Sequence, residues 1–543
     1  MDVVPARVLG RVVLARVVTS ATAEESLNGN LDACVRALES AGVGYMLVAA
    51  RAGQRRIVGV PRSSRYETFT ALSRELAQRP VYVAGLRHRR LVRVSLAGDV
   101  LRRSGLATLD AVRVFEVLAA AYGHVLAGPE FSCEIQFWHE VAPEETSAGR
   151  PTAEGDTEDD REGMQESELA LPERPAGVSD DTAWTLVAPT SNPYAVEIPP
   201  ACQVPAVRTV AGRPYRTLEP FTRSNPFDID FPVDVVYTWV DGSDPLWRAR
   251  QLTALARVSP GGLNELATNA SRFVSRDELR YSLRSLDMYT GWVRTVWLVT
   301  DDQTPEWLNT DHPRLRMVSH RQIFDDEECL PTFNSHAIES RLHHVEGLSG
   351  RYLYLNDDVF FGRCVPPERF FFANGVAKFF LSKAHVALGE ASVDEPPVMS
   401  AGKNNRALLE RTFGKTMAQK LKHVPHSQIR DVLFEMEEVF AEDFRKTSRT
   451  RFRHPDNISI TSALHHYYAF LTGRSVPGEL RYFYADIAAP ETPGRLRTML
   501  RERSFDVFCL NDHDDSGSDP VTQARMIREF LEAYYPLPSS FER

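Results

Sequence analysis

From Val233 onward, short apolar runs alternate with helix-length segments. Val233 to Val240, Thr295 to Thr300, Arg314 to Ser319 and Arg351 to Leu355 read as strands, and Ser275 to Tyr289 reads as a helix. Strands this continuously apolar are buried on both faces, so the order predicts a mainly parallel sheet with flanking helices. In such sheets ligands bind beyond the carboxyl ends of the strands. The polar motifs of this region fall at those ends.

The rest of the chain is less constrained. At 543 residues it exceeds what one core usually serves. Residues 1–140 mix β-rich runs, Gly44 to Ala49 and Pro80 to Ala84, with an expected helix from Asp110 to Leu126, and read as a smaller α/β accessory domain. Residues 141–230 are acidic and then Pro-rich, and read as a disordered linker ahead of a catalytic domain at 231–543. A net charge of −10 argues against a nucleic-acid binder, which needs a basic face. Six scattered cysteines without a CxxC pair fit a reduced, cytoplasmic protein, and no apolar run is long enough to cross a bilayer. A membrane role would have to be peripheral, at the inner face of the cell membrane.

Four segments carry chemistry. In Asp234-Val-Val-Tyr-Thr-Trp239-Val-Asp241-Gly a strand ends in an aromatic and a carboxylate. Trp239 suits stacking on a base and Asp241 suits accepting from a uracil or ribose, although a plain Asp-Gly turn reads the same way. In Arg351-Tyr-Leu-Tyr-Leu-Asn356-Asp357-Asp358 a strand delivers an amide and two adjacent carboxylates into apolar surroundings. Such a pair repels itself unless a cation is present, and Mg²⁺ takes one or two carboxylates together with substrate phosphates. His423-Val-Pro-His426 offers an imidazole for proton transfer, and Arg453 a planar fork for a diphosphate. Cys509-Leu-Asn511-Asp512-His513-Asp514-Asp515 is either a further ligand source or a solvated turn.

Together and in this order, the segments resemble the Stealth family, which includes bacterial capsule hexose-1-phosphate polymerases and the lysosomal-targeting GlcNAc-1-phosphotransferase. The matching blocks are DVVYTWVDGSDPLW at 234–247, SRFVSRDELRYSLRSL at 271–286 continuing through LPTFNSHAIES and YLYLNDDVFFG, HVPH at 423 with FRHPD at 452, and CLNDHDD at 509. The blocks leave the N-terminal third uncovered. The resemblance implies a glycosyltransferase-A-like domain that binds a UDP-sugar with a divalent cation, Mg²⁺ or Mn²⁺. It implies transfer of a hexose-1-phosphate, such as an N-acetylhexosamine-1-phosphate, to a hydroxyl of an oligosaccharide or lipid-linked glycan, releasing UMP during surface-polysaccharide synthesis.

Carried onto this chain, the resemblance makes His423 the base, Arg453 the residue that stabilises diphosphate charge and Asp358 the metal ligand, with Asp357 and Asp512 as weaker ligands. Asp241 joins His423 and Arg453 on the nucleotide side of the catalytic set. Trp239, Arg272, Glu278 and Arg280 fall on the nucleotide side, Asn334, Ser335 and Glu339 toward the sugar, and Asn356 and Asn511 beside the metal. Arg276, Arg280 and Arg284 share one helix face, which fits either phosphate contact or a salt-bridge ladder. A conventional metal-dependent glycosyltransferase releasing UDP, or a non-catalytic glycan-assembly protein, would use the same elements.

Overall fold

The computed structural model describes residues 2–49, 55–87, 90–102, 105–106, 109–142, 184–190, 192–258, 263–268, 273, 275–511 and 520–543. They form two compact units, Met1–Pro226 and Phe227–Arg543.

In the first unit, strand Cys133–Val141 pairs antiparallel with Ala111–Glu116 and parallel with Ile57–Pro61. Its sheet buries Val58, Val114, Ile135 and Phe137 with Leu31 and Leu38 of helix Ala23–Ser40 and Phe69 of helix Arg65–Glu75. Helix Ala23–Ser40 begins at a capping box in which Thr22 and Glu25 satisfy each other's backbone N–H groups. Two expectations are corrected here. The helix expected from Asp110 to Leu126 is instead three strands, Ala111–Glu116, Leu118–Ala119 and Val125–Ala127. Alternating Val112 and Val114 follow the two-residue strand period, and the alanines after them gave a false helical signal. The linker expected over 141–230 is folded from Trp184 on. Strand Thr185–Val187 pairs with Cys133–Val141, and the hairpin Pro205–Val210 with Arg213–Leu218 places Tyr215 in the core of the first unit. Its prolines sit in an isolated two-stranded ribbon, where a missing N–H is tolerated. Residues 143–183 lie outside the described residues.

The second unit is built on β1 (Val233–Thr238), α1 (Glu278–Tyr289), β2 (Val293–Thr300), β3 (Leu315–Ser319), β4 (Arg351–Leu355), β5 (Val359–Phe361), β6 (His426–Ile429), β7 (Tyr482–Asp486) and β8 (Val507–Asn511). The main sheet runs β3-β2-β1-β4-β6; the first four strands are parallel and β6 is antiparallel to β4. The expected α/β class with a mainly parallel sheet therefore holds. The chain winds outward from β1 through β2 to β3, then returns to place β4 on the other side of β1. This reversal creates a topological switch point at the carboxyl ends of β1 and β4. A second small sheet, β5-β8-β7, sets the fourth sequence block beside the second, with Cys509 opposite Val359.

Buried hydroxyls tie α1 to this arrangement. Ser282 Oγ donates to the Val359 carbonyl at 2.6 Å and meets Tyr237 Oη at 2.8 Å, and Ser285 Oγ accepts from Phe361 N at 3.0 Å. At the other end of β1, fully buried Asp234 accepts from Arg294 Nε at 2.8 Å, Trp297 Nε1 at 3.0 Å and Ser349 N at 2.9 Å. This fully hydrogen-bonded carboxylate braces β1, β2 and the entry to β4. Replacing Asp234 with Ala strands the indole and backbone donors, so the urea transition of the second unit is expected to lose about 3 kcal/mol, with its slope unchanged. An unchanged midpoint would show that the brace is redundant.

Candidate functional site

The switch point gathers a group of acids. Beyond β4 come Asn356, Asp357 and Asp358, and Glu278 opens α1. Burial, followed by the charges of Glu278 and Asp358, pushes the Asp357 carboxyl well above the usual carboxylate range. Glu278 is also raised by burial and by Asp358, although its Oε2 accepts from Arg276 N at 2.5 Å. Three carboxyl groups held in mutual repulsion form an oxygen donor set whose conflict a hard divalent cation relieves. Asp358, His423 and Cys509 also present ligand atoms within 4.8 Å of one another. His343, His344 and Glu437 form a second such group, but there Arg341 already pairs with the same carboxylate.

Asp358 binds the residue expected to act as base. His423 Nε2 lies 3.1 Å from Asp358 Oδ1, and Cys509 Sγ donates to Asp358 Oδ2 at 3.4 Å. Burial works against an imidazolium at His423, yet the Asp358 charge and hydrogen bond, with Glu339 and Asp357, outweigh it and raise its value.

Arg453 donates through Nη2 to Ser335 Oγ at 2.7 Å, and its Nε is buried without an acceptor among the described residues. Burial lowers its value while Glu339 counters. Glu339 is buried, and burial raises its carboxyl against the opposing pull of Thr461, Arg453, Ser462 and His423. Glu339 thus lies in the field of both Arg453 and His423. Its glutamate character in PTFNSHAIES was legible, but its link to Arg453 and His423 was not, because more than eighty residues separate it from either.

The remaining expected residues divide. Trp239 follows β1, donates its backbone N–H to the Val299 carbonyl at 3.1 Å and has a buried indole Nε1 without an acceptor among the described residues. Asp241 lies two residues on; its Oδ1 accepts from Ser243 N at 2.8 Å and Oγ at 2.6 Å, closing an Asx turn, while Gln303 binds its backbone on both sides. Gly242 is obligatory there, since a Cβ would stand 2.5 Å from the Phe273 carbonyl oxygen. Asn356 follows β4 directly and Asn511 ends β8, where Leu510 N donates to the Asp358 carbonyl at 3.1 Å. Asn334 is not placed to meet a sugar: it is fully buried, its amide donates to Thr450 and Asn457, and its oxygen caps helix Ser335–Glu339. Arg280 and Arg284 both bind the Glu542 carboxylate, so the salt-bridge reading of that helix face prevails over phosphate contact. Arg272 and Asp512 lie outside the described residues.

Among the described residues no helix is long and apolar enough to cross a membrane.

Family models for Stealth conserved regions 1, 2, 3 and 4 match residues 231–251, 272–379, 422–470 and 498–543. An exopolysaccharide phosphotransferase of Streptomyces coelicolor is 42% identical over 98% of this chain and 86% of its own length. The exopolysaccharide phosphotransferase CpsY of Mycobacterium tuberculosis is 31% identical over 98% of this chain and 91% of its own length. These alignments run through the first unit, which the four blocks leave uncovered. Among solved structures, the galactosyltransferase LgtC aligns with 56% of this chain and 96% of its own at 11% identity and a TM-score of 0.28. With all four conserved regions present in order around the switch point, and relatives matched along almost its whole length, the chain belongs to the Stealth family.

Proposed function

We propose that the protein transfers a sugar 1-phosphate from a UDP-sugar to a hydroxyl of a glycan acceptor, forming a phosphodiester and releasing UMP, in exopolysaccharide synthesis. The convergence of His423, Asp358, Glu339 and Arg453 at one switch point carries this reading. The names of its relatives support the phosphotransfer and the polysaccharide.

In this reading Asp358 accepts the Nε2–H of His423, which fixes the tautomer and leaves the Nδ1 lone pair to take the proton of the acceptor hydroxyl. Arg453, with Nε unsatisfied, binds the diphosphate through its remaining donors. Asp357, with Asp358 and Glu278, would hold a divalent Mg²⁺ or Mn²⁺, which supplies charge neutralisation on the phosphates. The buried indole N–H of Trp239 finds its acceptor on the nucleotide, with Asp241 beside it. The acceptor is an oligosaccharide or a lipid-linked glycan, the latter met by peripheral association at the membrane.

Incubating the full chain with a panel of UDP-sugars, a glycan acceptor mixture and Mg²⁺ or Mn²⁺ is expected to release UMP, identified by mass. Release of UDP would instead establish a conventional glycosyltransferase and overturn the reading.

A further inference from the structure

Helix His465–Leu471 is preceded by a single π-helical turn, Ile460–Leu464. Such turns are rare and costly relative to α-helix, so a reason for this one is sought in what it presents. It presents two adjacent hydroxyls to one atom. Thr461 Oγ1 donates to Glu339 Oε2 at 2.6 Å, and Ser462 Oγ donates to the same oxygen at 3.1 Å. In an α-helix, successive side chains diverge by about 100°. The wider π turn reduces that angle and lets neighbours converge.

The turn is also anchored from behind. Gln428 Nε2, on β6, donates to the Thr461 carbonyl at 2.7 Å. Thr461 and Gln428 are fully buried, and Glu339 nearly so. The Thr461 hydroxyl therefore sits at a fixed, buried position, with the half-buried Ser462 hydroxyl beside it on the same oxygen. Glu339 lies in the field of Arg453 and His423, and its own short helix, Ser335–Glu339, carries the Ser335 hydroxyl to which Arg453 Nη2 donates at 2.7 Å.

We infer that Thr461 and Ser462 are positioning residues, held by the π turn, which fix the Glu339 carboxylate against Arg453 and His423 and so set the alignment of those two groups for transfer. The inference rests on the proposed function only in taking Arg453 and His423 to act in turnover; it is indifferent to which nucleotide leaves.

Turnover is therefore read as total nucleotide released, UMP and UDP together, from the UDP-sugar panel with the full chain. The double substitution Thr461→Val with Ser462→Ala is expected to lower kcat about 30-fold, with the donor KM within about twofold, because the buried carboxylate loses both hydroxyl donors. Thr461→Ser, which keeps the hydroxyl, is expected to retain wild-type kcat; a purely structural role would instead lower the thermal stability of the double variant and leave its kcat unmoved. A crystal structure of the double variant gives a readout independent of turnover: the Glu339 carboxylate is expected to leave its position with the surrounding fold intact. Wild-type kcat in the double variant, equal impairment by Thr461→Ser and Thr461→Val, or an unmoved carboxylate would each overturn the inference. Should no UDP-sugar support turnover, the carboxylate position alone decides it.

Discussion

His423→Ala is expected to lower turnover about a thousandfold, the middle of the range that a positioned general base contributes. The side chain is half-buried and, among the described residues, its one polar contact is to Asp358. Its loss should therefore leave the unfolding transition close to wild type. His423→Gln, which retains a hydrogen-bonding group but cannot take up a proton in this range, should be as impaired as the alanine variant. That comparison separates a proton acceptor from an orienting contact. Residual activity of Gln near wild type would reassign His423 to substrate positioning and make Glu339, a carboxyl in the field of both Arg453 and His423, the candidate base.

The parts of the molecule that could be read from sequence share a physical reason. Strands β1 to β4 are five to eight residues of largely apolar character, and they fall where the alternation places them. Their carboxyl-end location follows from sheet topology rather than from any single residue, which is why Trp239, Asp357 and Asp358 were legible as a group. Long-range pairing was not legible. The carboxylate that captures Arg280 and Arg284 comes from Glu542, about 260 residues away, and no local pattern announces it. Asn334 shows the opposite failure. Its neighbours are chemically suggestive, but a side chain that caps a helix and satisfies two buried partners is fully occupied. Thr461 and Ser462 look like any polar pair in a helix, because a π turn has no composition of its own. In the first unit, Val112 and Val114 carried a two-residue period that the following alanines masked.

Asp358→Asn is expected to cost turnover as much as His423→Ala, about a thousandfold, because in the proposed mechanism it removes a cation ligand and the charge that orients the imidazole. Raising Mn²⁺ should recover only part of it. Asp357→Asn bears mainly on the cation, since among the described residues Asp357 acts on His423 through its charge and no hydrogen bond links the two. Turnover should fall and recover substantially at high Mn²⁺. The same variant has an opposite effect on stability. In EDTA the folded protein holds the Asp357 proton more tightly than the unfolded chain does, because burial and then the Glu278 and Asp358 charges raise its value. The folded state thus binds more protons than the unfolded state above the ordinary aspartate value, and stability declines as pH rises past about 4. Asp357→Asn removes that titration, so its thermal midpoint in EDTA should lie above wild type at neutral pH and vary less with pH. Wild type in saturating Mg²⁺ should lose the same slope, because the cation supplies the countercharge. An Asp357→Asn protein that keeps the wild-type pH slope in EDTA would show that the acids at the switch point are not in conflict, and with that the case for a cation held there would fail.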